Sequence, residues 1–495
     1  MGSEMKFRVD IEHSVPRFRS WLLILIAMSI SMALTSVGIT SAAAATVSSG
    51  ATSGLTGVRG VYGADIREAS ARADGYHHID TPTLISTLQA EHITTYSYLI
   101  LHSPTDWADL VNEFLPAAQE AGIAVWVYVV PPTETGLMPG GSYVPYGQDY
   151  VSWAKAIASL ANQYSVLKAW VMDDFRGNTS TFTPAYTASV HSAATAIDPA
   201  LEFFLVLYPQ DYDDTFMTSY AGTFDGAIMP YYGPLSTYDV NDLSQLRPNL
   251  DAAEAATAAH QELLYLMPYG ARLSLSPSPP SAATVSQTIE VGLSDAAAGK
   301  LAGVMVYQAP LQPQSESCPS FPAFAQMQAA WHNVTSGGGY AAITQVDTVD
   351  SAAPIKSITF TEDDSFRILA ADSGYYSKQL RVNGTVVWQQ DPAADDADAW
   401  TTHTVDVTTL LSGKTSAQVT FLLLNTKGVG NFGLTFRAAA VSATGITIRD
   451  GNYTASPSEW LVSDKDTGFS TSEQPNTCDP NRQQNILDAI SADYA

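Results

Sequence analysis

Between Gly57 and Val334 the chain alternates short apolar, β-branched and aromatic runs with stretches of helical periodicity, and it does so eight times. The predicted strands are Gly57 to Ile66, Thr94 to His102, Ala124 to Pro131, Leu167 to Phe175, Leu201 to Pro209, Asp225 to Gly233, Glu262 to Tyr269 and Leu301 to Gln308. Between them, apolar residues recur at three- and four-residue spacing, as in Trp107 to Ala121 (Leu110, Phe114, Leu115, Ala118) and Tyr150 to Tyr164 (Trp153, Ile157, Leu160). Near-continuous apolar strands joined by crossover helices demand a parallel sheet covered on its outer face. Eight such units predict an α/β fold, a (β/α)8 TIM barrel over 57–335. An open doubly wound sheet is the alternative, but no Gly-x-Gly-x-x-Gly turn follows the first strand, and dinucleotide binding loses its main support.

The composition changes after Ser336-Gly-Gly-Gly339. Alternating runs at 356–360, 378–382, 385–388, 404–407 and 417–421, with Asn383-Gly384 set between two of them, predict an antiparallel β-sandwich over 341–449. Trp388 and Trp400 there are either stacking residues or core. The segment 450–495 is turn-rich, with a short helix at Gln484 to Ile490, and is expected to pack back on the barrel. At the other end, basic residues precede the apolar run Trp21 to Leu34, which leads to Ala43-Ala44-Ala45. Residues 1–45 read as a secretory signal peptide and 46–56 as a linker, because that apolar run is shorter than the ~20 residues of a spanning helix. The chain is therefore expected to be secreted, with no membrane span after cleavage. Export permits its two cysteines, Cys318 and Cys478, to form one disulfide tying the tail to the end of the barrel, with a chain-entropy contribution on the order of 5 kcal/mol.

Barrels of this kind work at the C-terminal ends of their strands. Those ends present Asp65, His102, Glu134, the pair Asp173-Asp174, Tyr208 with Asp211, Tyr231-Tyr232, Tyr269 and Tyr307-Gln308. Acids occupy the first half of the rim and aromatics the second. Aromatic faces beside carboxylates and amides suit a sugar: rings stack on C–H faces while polar groups read hydroxyls. Adjacent acids at the end of an apolar strand repel each other and lose hydration, so one can stay protonated while the other stays ionised. A helix cap or turn would also place Asp there.

The span Lys168-Ala-Trp-Val-Met-Asp-Asp-Phe175 resembles the fourth-strand Asp-Asp signature of TIM-barrel glycoside hydrolases, as in O-GlcNAc-hydrolase-like and polygalactosaminidase-like barrels. The chitinase spacing Asp-x-x-Asp-x-Asp-x-Glu is absent, and Met267-Pro-Tyr269 stands where a retaining clan carries its strand-seven Glu, so the resemblance stays at superfamily level. It implies that Asp173 orients a substrate acetamide or acts as nucleophile, while Asp174 protonates the leaving oxygen. Without an acetamide a second carboxylate is needed, and Glu134, Asp65 and Asp211 are the candidates.

A formal charge of −26 argues against nucleic acid as a partner and leaves neutral carbohydrate as the expected one. No cofactor is expected; a metal held by the Asp pair with His77, His78 or His102 is a weaker alternative, since the histidines lack helical ligand spacing. The sequence thus predicts a secreted glycoside hydrolase. A catalytically silent polysaccharide-binding protein and a polysaccharide lyase using Tyr or His as base are the competing readings. Asn-x-Ser/Thr sequons stand at Asn178, Asn333, Asn383 and Asn452.

Overall fold

A computed structural model describes residues 55–135, 144–235, 238–271, 273, 276, 278–329, 337–364, 373–392, 400–427, 434–466 and 468–495. The expected signal peptide, nearly all of the linker and the sequon at Asn333 lie outside the described residues. Eight parallel strands close into a barrel: β1 (Val58–Tyr62), β2 (Thr95–Leu99), β3 (Ala124–Val129), β4 (Leu167–Met172), β5 (Glu202–Val206), β6 (Gly226–Tyr231), β7 (Leu263–Pro268) and β8 (Gly303–Tyr307). β8 returns to pair with β1 from Val58↔Gly303 to Tyr62↔Tyr307. Closure leaves no edge, so every strand is buried on both sides, which is why each reads as a continuous apolar run.

The barrel interior is filled by large rings. Trp126 on β3, Phe204 on β5 and Tyr265 on β7 meet with centroids 4.8–5.2 Å apart. These strands are not neighbours, so the contacts run across the interior and fix which residues of each strand point inward. Gly60 of β1 leaves room for Met305: a Cβ there would lie 2.1 Å from its sulfur. Counting upward by two from this layer brings Tyr62, Tyr128 and Tyr307 to the mouth.

Seven outer helices follow the first seven strands, and the helix expected at Trp107 to Ala121 runs without a break from Asp106 to Ala121. Its middle turn, Leu110–Phe114, is a π-turn that ends two residues before Pro116, whose missing N–H and bulky ring a regular turn would not accommodate. β8 leads instead into the sandwich, and the eighth helix, Arg482–Tyr494, comes from the C-terminus. It lies against helix Ala282–Ala297, and its Tyr494 hydroxyl donates to the Gly60 carbonyl of β1 at 2.9 Å. The β-sandwich is thus inserted between strand eight and helix eight of the barrel.

Two antiparallel sheets form the sandwich. One orders Thr385–Gln390, Tyr376–Val382, Ser416–Asn425, Tyr340–Val349 and Ile446–Thr447, with Leu461–Lys465 also paired to Tyr340–Val349. The other orders Thr401–Asp406, Ser357–Asp364, Leu434–Thr444, Ala323–Ala329 and Phe469–Pro475. Strands 323–329, 461–465 and 469–475 extend the sheets beyond the expected 341–449 on both sides; pairing across the insertion recruits its two connecting segments. Asn383 and Gly384 both take positive φ (50° and 78°), as a two-residue hairpin turn requires. Cys318 and Cys478 form a disulfide, Cα to Cα 5.6 Å, that joins the segments entering and leaving the sandwich. Beside it Arg482 pairs with Glu316, and the Asn476 amide donates to Pro319 and Phe321 carbonyls. Trp388 packs on Phe360 and Trp400 on Phe321, so both rings serve internal packing.

Candidate active site

Asp173 continues the β4 ladder, its N–H donating to the Val129 carbonyl at 3.2 Å, and it takes an inward position in step with Ala169 and Val171. The next residue, Asp174, has φ 38° and ψ 42°, a left-handed conformation that Asp tolerates better than most side chains. That single residue turns the chain, so two successive carboxylates serve one space rather than opposite faces of a strand. Glu134, in the short helical turn Pro132–Thr135 after β3, completes the group: one oxygen from each of Glu134, Asp173 and Asp174 lies within 4.8 Å of the others. Asn178 holds the two turns together. Its buried amide donates to the Asp174 carbonyl and to Thr133 Oγ1, both at 3.0 Å, and its oxygen accepts the Thr133 N–H at 3.3 Å. Read from sequence as a sequon, Asn178 is 4% exposed and fully engaged.

Tyrosine hydroxyls surround the three acids. Tyr128 donates to Asp173, and Tyr208 donates to Asp174 Oδ1 at 2.6 Å. Tyr62 lies against Tyr128, centroids 4.2 Å apart, and against Tyr307 at 5.8 Å; Tyr307 meets Tyr269 at 5.2 Å, and Tyr208 meets Tyr232 at 5.4 Å. In the sequence, Tyr62 and Tyr128 do not stand out as site residues. Only the inward parity set by closure of the barrel exposes them.

Burial raises the Glu134 carboxyl far above the ordinary range, and the negative charges of Asp173 and Asp174 add to it. Asp173 is also pushed up, first by burial and then by Asp174, against the opposing hydrogen bond from Tyr128. Burial and the neighbouring acids push Tyr62, Tyr128, Tyr269 and Tyr307 well above the usual phenol value, so these hydroxyls remain donors.

The other rim residues divide. Asp65 is engaged with Arg67 at 2.7 Å and His102 at 3.2 Å; burial alone would raise its pKa, but His102's hydrogen bond and Arg67's charge hold it below the ordinary value. It and His102 thus belong to an ion-pair chain that continues through Arg67 to the buried Asp106. Asp211 accepts its own turn's Tyr208 N–H at 2.9 Å and acts as a cap; burial lifts it to about 6. Tyr231 points out of the mouth, its hydroxyl donating to the Asp242 carbonyl at 2.5 Å, because it is one residue out of step with inward Tyr232. Gln308, exposed and at φ 47°, anchors its N–H on the Tyr62 carbonyl at 2.7 Å.

Among the described residues, two groups of side chains sit close enough to hold a cation. One is the acid triad itself. The other, His78 with Asp109 and Glu113, is committed elsewhere: His78 bridges Asp109 (2.6 Å) and Asp74 (2.7 Å), while Arg72 binds Glu113 at 2.6 Å. His77 Nδ1 donates to the Glu68 carbonyl, 2.8 Å away, and neither histidine is among the triad's partners.

No protein-family model matches the chain, and no curated protein is similar to it in sequence. Among solved structures it is similar to the catalytic core of xylanase A, at 13% identity and TM-score 0.35, over 52% of this chain and 89% of that one. A GH99 endo-alpha-mannosidase from Bacteroides thetaiotaomicron gives 12% identity and TM-score 0.34, over 49% and 77%. Bacteroides uniformis beta-glucuronidase gives 8% identity and TM-score 0.38, over 77% and 65%. At such identities and scores the likenesses leave activity and substrate to be argued from the chain's own residues.

Proposed function

We propose that this protein is a secreted glycoside hydrolase whose centre is Glu134, Asp173 and Asp174. The observation that carries the reading is three carboxyl groups within 4.8 Å of one another in a tyrosine-lined barrel mouth, with no basic side chain paired to them among the described residues. Glu134, whose environment favours the protonated form, donates its proton to the leaving glycosidic oxygen as the C–O bond breaks. Asp174, oriented by Tyr208, takes the developing positive charge at the anomeric carbon, and Asp173 behind it, held by Tyr128, reads a polar substituent such as an acetamide. Glu134 then accepts a proton from the water that releases the sugar. The acid role that the Asp-Asp resemblance gives to Asp174 is thus assigned to Glu134, because burial and the neighbouring acids favour its protonated form.

The close approach of the carboxyls favours retention, since inversion needs roughly 6.5–9.5 Å to admit water between them. A lyase reading is disfavoured by the raised tyrosine pKa values, which oppose a tyrosinate base. Reducing ends released from a panel of glycans by wild type and by Asp174→Asn test the proposal. Hydrolysis by wild type and a loss of ~10²–10⁴-fold in the variant are expected. No cleavage by wild type, with glycan binding retained in both proteins, favours the silent binding protein instead.

A further inference from the structure

A groove of about 520 Å³ lies between the turns after β5 and β6, and falls within the range of about 300–1,000 Å³ usual for ligand sites. Its walls are Pro209 and Gln210 after β5, Tyr232, Gly233, Pro234 and Leu235 after β6, and Asp242, Ser244, Gln245 and Asn249 at the start of helix Leu246–His260. Tyr232 is the shared wall. Its ring contacts Tyr208, which holds Asp174, and its hydroxyl donates to Gln210 Oε1 at 2.5 Å. Two contacting tyrosines therefore stand between the groove and the reaction centre.

The chemistry of the walls is specific. Leu235, 52% exposed, and two prolines give an apolar lip, while Gln210, Gln245, Asn249 and Ser244 provide neutral donors and acceptors. The one acid, Asp242, spends an oxygen on the Ser244 N–H at 2.9 Å and caps the following turn. None of the lining residues is basic. Gly233, at φ 82°, shapes the wall: any Cβ there would lie 2.0 Å from the Asp239 carbonyl oxygen, so the loop is closed tightly behind the groove. Apolar surface beside amides, without cations, matches a neutral sugar ring and not a uronate or sulfated one.

We propose that this groove is a second sugar subsite, which binds a neutral unit of a glycan chain remote from the bond cleaved at the triad. The inference rests on the hydrolase reading and adds to it that the substrate is a chain of neutral sugars, threaded past Tyr208 and Tyr232, rather than a single terminal sugar.

The test uses neutral polysaccharides (xylan, mannan and a mixed β-glucan), their oligosaccharides of graded length, and a polyuronate. Asn249→Trp should fill the groove. It should lower the ratio of kcat/KM on long chains to kcat/KM on the shortest accepted oligosaccharide about tenfold or more. An unchanged ratio in a folded variant, or preferred cleavage of the polyuronate, overturns the subsite. If Asn249→Trp does not fold, Leu235→Ser with Gln245→Ala, both at exposed positions, gives the same readout. No cleavage of any member by wild type defeats the hydrolase reading itself, an outcome separate from failure of the subsite.

Discussion

The barrel mouth and the interior of the sandwich both bury clustered carboxylates, yet they compensate them differently. In the sandwich, Lys378 is fully buried and reaches Glu362 at 2.7 Å and Asp364 at 2.8 Å, while Arg437 meets Asp363 at 2.9 Å. Burial there pulls the Lys378 ammonium down, but Asp364 and Glu362 outweigh it and hold its pKa above the ordinary value. At the mouth, Glu134, Asp173 and Asp174 face tyrosine hydroxyls and one another. Acids matched by a cation stay charged and hold a structure together; acids left unmatched in a cleft hold a proton that chemistry can use. The second arrangement costs stability, which is the usual signature of a working site.

The comparison can be broken most sharply at Lys378. Lys378→Met should leave Glu362 and Asp364 buried without their cation and cost about 3–5 kcal/mol in chemical denaturation. At the mouth, Asp173→Asn should behave in the opposite sense, with stability held or increased while kcat falls about 10²-fold. The same variant removes a negative charge that raises Glu134. Glu134's pKa should then fall, its proton should be lost at lower pH, and the alkaline limb of kcat/KM should move to lower pH. An unmoved limb would detach Glu134 from the acid role.

Glu262 separates cost from function. Its buried carboxylate oxygens, just before β7 and far in sequence from the triad's turns, make no hydrogen bond, and burial lifts its pKa to about 8, helped by Asp225. Between its ordinary value and about 8 the folded state holds more protons than the unfolded one, so this group's contribution to stability is lost as pH rises through that window. Glu262→Gln should therefore raise stability by about 1–3 kcal/mol at pH 9, have little effect near pH 4, and leave turnover intact, as read by melting curves and rates. The smallest effect is expected at Asn178. Asn178→Ala should cost about 1 kcal/mol and loosen both acid-bearing turns, lowering kcat more than it alters KM.

How much of this was legible before folding follows from what each feature depends on. A closed parallel barrel buries both faces of every strand, so its eight strands stood out as apolar runs, and the Asp173-Asp174 pair was conspicuous at the end of one. The identity of the acid beside that pair was not, because Glu134, Asp65 and Asp211 occupy equivalent strand ends. Only the structure shows Asp65 committed to Arg67 and His102, and Asp211 to a cap. Tyr62 and Tyr128 were hidden by parity, and Tyr231 and Tyr232 could not be told apart for the same reason. The eighth helix was hidden because a whole sandwich separates it from its strand.

The most direct test of the contrast between matched and unmatched acids is Glu134→Gln, with the rate of reducing-end release on a glycan that wild type cleaves measured at pH 7 on protein of confirmed melting temperature. A rate at least about 10²-fold lower, with melting unchanged or raised, is the predicted result. A variant that cleaves at the wild-type rate, or one that loses activity only because it melts, would contradict the account.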